Sequence, residues 1–261
     1  MLLREDDRGV LAIGQPSHAW ISGQLARAWG NGRFGKVEPY EEVCLAAEQH
    51  DIGWATRDLE PLFNPDTGLP RSFMEMPIEL HLGLFTEGPR ALVSQSRYAA
   101  LLVSMHGRRL YERRDIDKLE RSAADAIRSF LAGRRAFEAE LLAELRADAV
   151  TAARATDELV ERNGLLIWTW DYLSLALCLG WTGATARHAP AAAGQLDLEL
   201  SATDEPGRVH LTPWPFELPN LTVHCEGRRL EHRYQSEEAM RAALNGAAWE
   251  TLELRLEALA A

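Results

Sequence analysis

Apolar residues recur at helical spacing along most of the first 180 positions, and the pattern then changes to alternation. Leu2–Arg4 and Val10–Ile13 flank a polar Glu5–Gly9 and predict a short hairpin. After Pro16 and Ser17, a helix-start pair, Trp20, Ile21, Leu25, Ala28 and Trp29 share one helical face, and the glycine-rich 30–35 ends it. A second helix is expected from about Glu41 to Gly53. The Pro- and Gly-bearing Pro61–Pro77 reads as a long loop, a type that often lines a site. Further helices are expected at about Ile78–Phe85, Arg90–Tyr111, Asp115–Arg146 and Ala149–Leu179, where strong helix formers carry an apolar stripe.

The Ala, Pro and Gly content of Ala184–Gly194 reads as a linker. Beyond it, Gln195–Leu200 and Arg208–Thr212 alternate as strands. Leu221–Cys225 and Leu230–Tyr234 flank Glu-Gly-Arg-Arg, a hairpin signal. A capped short helix at Ser236–Asn245 and a strand at Trp249–Leu256 follow. The expected fold is mainly α: a helical bundle over 1–190, including the N-terminal hairpin, with a small antiparallel β-appendage over 191–261 packed on it.

Composition narrows the function classes. A net charge of −11 over 261 residues argues against a nucleic-acid-binding surface. Cys44 and Cys178 lie in apolar helical stretches and read as buried thiols, and the three cysteines form no CxxC pair. The N-terminus turns charged at once, unlike a signal peptide. The longest apolar run, Leu165–Trp181, carries Asp171 at its middle, which costs about 2.5–3.5 kcal/mol on insertion into a membrane. A soluble, reducing, cytoplasmic setting is the expectation.

The chemistry lies in an ordered set: His18, His50-Asp51, His81, His106 and Asp171, all on expected helices. Four imidazoles and two carboxylates suit one or two divalent first-row metals. Neighbours on a helix point about 100° apart, so His50 and Asp51 share a metal only at a helix end, which Gly53 provides. Competing readings are a surface helix terminus for His18, His50 and Asp51, and a satisfied core histidine for His106. His81 sits on a short helix after a loop, and Asp171, between Trp170 and Tyr172, needs a cation or an arginine. Gln15, Lys36, Gln49, Arg57, Asp58, Arg108 and Arg109 lie near these positions as secondary candidates. His188, His210, His224 and His232 read as surface positions of strands, and Trp20, Trp29, Trp54, Trp168 and Trp170 as core first and pocket wall second.

This order resembles the HD superfamily of metal-dependent phosphohydrolases. Gly14-Gln-Pro-Ser-His18, Ala28-Trp-Gly-Asn31, Glu48-Gln-His-Asp-Ile-Gly-Trp54, Leu101-Leu-Val-Ser-Met-His106, Trp170-Asp-Tyr-Leu-Ser174 and Thr212-Pro-Trp-Pro-Phe216 resemble, more closely, an uncharacterised bacterial family of HD-like proteins. The resemblance implies an HD-domain-like helical bundle. It matches His18, His50, Asp51 and Asp171 to the ligands of one metal, and His81 and His106 to the added histidines of a binuclear branch bridged by Asp51. The cofactor it implies is one or two ions of Fe, Mn, Ni or Zn. His50 and Asp51 become the catalytic pair, with metal-activated water hydrolysing a small phosphate ester or nucleotide. A non-haem di-iron oxygenase and a non-catalytic, metal-stabilised binding protein stay open as alternatives. The expected partner is a small anionic substrate, with no nucleic acid and no membrane, and a homodimer stays open.

Overall fold

The computed structural model describes residues 1–259. The chain opens with strands β1 (Leu2–Asp6) and β2 (Gly9–Ile13), then helices α1 (Gln15–Ala28) and α2 (Tyr40–Gln49). A two-stranded ribbon, β3 (Phe63–Asn64) and β4 (Leu69–Pro70), structures the segment expected as a loop. Four helices follow: α3 (Ile78–Leu92), α4 (Arg97–Glu112), α5 (Arg121–Ala147) and α6 (Asp157–Leu179). The last third holds β5 (Ala184–Pro190), β6 (Gln195–Ala202), β7 (Arg208–Thr212), β8 (Asn220–Leu230), α7 (Glu237–Gly246) and β9 (Trp249–Ala258).

The strands form one seven-stranded sheet in the order β1-β2-β8-β9-β7-β6-β5, with β7 and β9 parallel and the other pairs antiparallel. This corrects the expectation of a mainly α, HD-domain-like bundle with a small antiparallel sheet. Helices make up about 49% of the molecule, and the curled sheet is a full layer. Two local features conceal its size in the sequence. Ala184–Pro190 is a strand rather than a linker, and Asn220–Leu230 is one unbroken strand rather than half of a hairpin. Gly227 accounts for the second difference. A Cβ there would lie 2.9 Å from Leu11 Cδ1, so this glycine lets β8 approach β2 and makes no turn.

The strand alternation is regular enough to sort faces: Val223, Cys225 and Gly227 of β8 are buried, alternating with the exposed Thr222, His224 and Glu226. The buried face packs on the helices, and one core cluster runs from Leu2 through Ile21, Leu101, Leu166 and Trp170 to Leu256. Helix α6 is apolar nearly all round because it is enclosed by α1, α4, the start of the sheet and β5. Burying each of Leu166, Ile167 and Leu173 contributes about 1.5–3 kcal/mol. Helix α3 runs on through Pro89, and the break before α4 falls at Ser96, whose hydroxyl accepts the Ala99 N–H at 3.1 Å. Among the described residues no helix is long and apolar enough to cross a membrane.

Candidate metal centre

Four helices converge on one buried spot. His18 comes from the second turn of α1, His106 from the third turn of α4, and Asp171 from the middle of α6. His50 is the C-cap of α2 and still helical, at φ −60° and ψ −26°. Asp51 leaves the helix at φ −111° and ψ 21°, and that departure lets adjacent side chains meet. A short 3₁₀ turn, Ile52–Trp54, follows, and Gly53 packs against the backbone of α3 at Leu84 and Gly88.

His18 Nε2 lies 2.9 Å from Asp51 Oδ2, and His50 Nε2 lies 3.2 Å from Asp171 Oδ1 and 3.7 Å from Asp51 Oδ2. His106 Nε2 is 3.8 Å from Asp171 Oδ2. Donor atoms of His18, His50 and Asp51 form one compact group, and those of His50, His106 and Asp171 a second, with His50 common to both. All five residues are buried, Asp171 the least so at 8% exposed.

The outer nitrogens settle the protonation pattern. His50 Nδ1 lies 2.8 Å from the Ala47 carbonyl, which can only accept, so Nδ1 carries the hydrogen. Ser174 donates its own hydrogen to the Asp171 carbonyl at 2.8 Å, so its Oγ accepts from His18 Nδ1 at 2.9 Å. Ser22 supports Ser174 from the other side, 2.9 Å away. In the neutral form both imidazoles therefore point an Nε2 lone pair at carboxylate oxygens. Lone pairs facing anions at this distance repel, and a cation between them removes the conflict. Without a metal, a proton on His50 takes that role. Burial opposes a charge on His50, but the Asp51 and Asp171 carboxylates outweigh it and lift its pKa to about 9. Burial likewise pushes Asp51 and Asp171 up, and the neighbouring imidazoles and hydrogen bonds more than reverse this, holding both below the usual carboxylate range. Burial carries His106 down to about 4. Asp51 Oδ1 and His106 Nδ1 are buried without a hydrogen-bond partner in the protein. Two carboxylates, three imidazoles and unmet acceptor capacity fit a divalent transition metal.

Five of the six sequence candidates thus assemble, and His81 stands apart. Its Nδ1 is hydrogen-bonded to the Tyr111 hydroxyl, and its ring is edge-on to Trp54 and Phe85 at centroid distances of 5.2 and 4.9 Å. Burial pushes its pKa down to about 4. His81 borders the centre without belonging to either ligand group.

The secondary candidates are mostly structural. Asp58 accepts the Gln15 N–H at 2.5 Å and pairs with the Met1 ammonium at 3.2 Å. Arg108 is held by Glu138 and Glu112, both at 2.7 Å, and Arg109 by Glu161 at 2.6 Å. Lys36 lines a separate cleft at the end of α1, and Gln49 and Arg57 make no side-chain hydrogen bond among the described residues. Sequence reasoning gave no role to Ser22, Tyr111 or Ser174, or to the Ala47 carbonyl. Ser174, three residues after Asp171 and so on the same helical face, was the one with a readable signal.

No curated protein and no solved structure matches the chain. One family model, described as a protein of unknown function (DUF3891), matches residues 1–232, and the chain therefore belongs to that family.

Proposed function

We propose that the protein is a metal-dependent hydrolase of a small phosphate ester, with His18, His50, Asp51 and Asp171 holding a divalent ion and His106 beside it. The carrying observation is that His18 and His50 turn Nε2 onto two carboxylates while their Nδ1 atoms are occupied by Ser174 and Ala47. The ligand order, which resembles that of HD phosphohydrolases, supports phosphate-ester hydrolysis in particular. A divalent ion at this place supplies Lewis-acid polarisation of a substrate oxygen and lowers the pKa of a water.

The chain's own residues have separable tasks. Asp51 and Asp171 provide the negative charge that selects a cation. Ser174 and the Ala47 carbonyl fix the two imidazoles so that little reorganisation is needed on binding. Trp54, Phe85 and Trp168 surround His81 and His106 and limit bulk water. His81, fixed by Tyr111 at Nδ1, is placed to exchange a proton at Nε2 at the edge of the centre.

Near-complete burial of the five residues favours a second reading, a metal closed off by protein ligands that serves only stability. Turnover separates the two. Protein loaded with Mn, Fe, Ni or Zn is expected to release phosphate from at least one member of a panel of phosphomonoesters and nucleotides. Chelation should abolish the release, and D51N should lower it about 100-fold or more. No release from any ester with any of the four metals overturns the hydrolase reading and leaves the structural metal.

A further inference from the structure

A cavity of about 510 Å³ lies beside the metal centre, on the far side of Trp168, whose ring centre is 5.8 Å from that of His106. Trp168 and Tyr172 are four residues apart on α6 and so share the face that forms one wall. Arg113, just beyond α4, places its guanidinium 4.1 Å from the Trp168 ring centre. The opposite wall is β5, and there the strand is irregular.

Pairing with β6 shifts register between Ala186 and Ala189, and His188 has φ 60°. A non-glycine residue in the left-handed region is uncommon and strained. Asp197 holds it there, accepting the His188 N–H at 2.8 Å. The consequence is specific. In a regular strand consecutive side chains face opposite sides of the sheet. Here Arg187 and His188 are both exposed, and both line the cavity.

Charge makes the same point. The chain carries −11, and Arg108, Arg109, Arg128 and Arg135 all have carboxylate partners. Among the described residues neither Arg113 nor Arg187 has a carboxylate within 4.0 Å, although acidic side chains are abundant elsewhere on the surface. The Arg113 guanidinium, stacked on Trp168, the Arg187 guanidinium and the His188 imidazole therefore border, together with two aromatic rings, a space in the usual size range for small ligands.

We infer that this cavity binds a small organic anion bearing a planar ring, with the anionic group on Arg113, Arg187 and His188 and the ring against Trp168 and Tyr172. Guanidinium forks suit both phosphate and carboxylate, and aromatic faces suit a flat ring. The site goes beyond the hydrolase reading and does not depend on it, because none of its groups is a proposed metal ligand.

Calorimetric titration of chelator-treated full-length protein tests it, with phenyl phosphate, adenosine monophosphate and benzoate as probes. Saturable binding of at least one probe is expected, weakened about tenfold or more in R113A/R187A and unchanged in D51N. Tighter binding of phenyl phosphate than of benzoate assigns a phosphate-bearing ligand, and the reverse order a carboxylate. Both arginines are exposed, so the double variant keeps its core and its fold is checked by circular dichroism. Absence of saturable binding by all three probes up to about 10 mM, or binding that R113A/R187A leaves intact, overturns the inference. Because the titration is run without metal, its failure and a failure of phosphate release are read separately.

Discussion

His18 Nε2 lies 2.9 Å from Asp51 Oδ2, while the opposite nitrogen of the same ring lies 2.9 Å from Ser174 Oγ. The neutral imidazole is thus tied between an oxygen that accepts from its Nδ1 and a carboxylate that its Nε2 lone pair faces. Most of what can be tested about the centre follows from this arrangement.

Removing the tie should loosen the ligand. S174A deletes the acceptor for His18 Nδ1 and leaves every proposed ligand in place. Metal affinity is expected to fall about 10- to 100-fold, read by competition with a chromophoric chelator. An affinity equal to wild type would mean that Ser174 does not orient His18 for metal binding.

Proton release should accompany metal binding. In the metal-free protein the pKa of His50 is raised to about 9, so at neutral pH His50 holds a proton that a metal must displace. Metal affinity therefore rises with pH up to about 9. The sign is opposite for the metal-free fold. A raised folded-state pKa stabilises fully below the unfolded value of about 6.5, and that contribution is lost as pH rises through about 9. Binding enthalpies measured in buffers of different ionisation heat give the proton count, and a count of zero at pH 7 would contradict the charged His50.

His81 should be dispensable for metal uptake. It lies outside both ligand groups and is engaged by Tyr111. H81A is expected to retain the wild-type metal content, whereas a loss of half or more would make His81 a ligand.

The turn after Asp51 should be intolerant of any side chain. A Cβ on Gly53 would overlap the carbonyl oxygen of Leu84, which belongs to the α3 backbone and cannot swing aside. G53A is expected to cost about 1–3 kcal/mol in denaturant unfolding and to weaken metal binding by shifting Asp51. Unchanged stability would show that the Ile52–Trp54 turn and α3 are less closely packed than this.

The residues that gather at the candidate site were more legible in the sequence than the fold was. His18, His50, Asp51, His106 and Asp171 could be picked out because each is a metal-ligand type within or at the end of an apolar helical stretch, where an unpartnered polar group is costly. The helix end that lets His50 and Asp51 converge was signalled by Gly53. His81 matched the same pattern, but nothing in its neighbourhood announced Tyr111, thirty positions away, as a competing partner. The extent of the sheet is hidden in the sequence because glycine and proline carry two meanings. Gly227 read as a turn yet serves close packing of β8 on β2, and Pro190 read as linker yet ends an outer strand. Strand order, including the parallel β7–β9 pair, depends on long-range pairing that periodicity does not encode. His188 reads in the sequence as an ordinary surface position, because its left-handed backbone depends on register with β6.

Elemental analysis of chelator-free protein, with metal-to-chain ratios for wild type and H50A/D171N, addresses the metal centre itself. About one divalent ion per wild-type chain and less than about a tenth of that in the double variant is the predicted result. A natively folded wild-type chain that contains no metal and takes none up on incubation with Fe, Mn, Ni or Zn would contradict it.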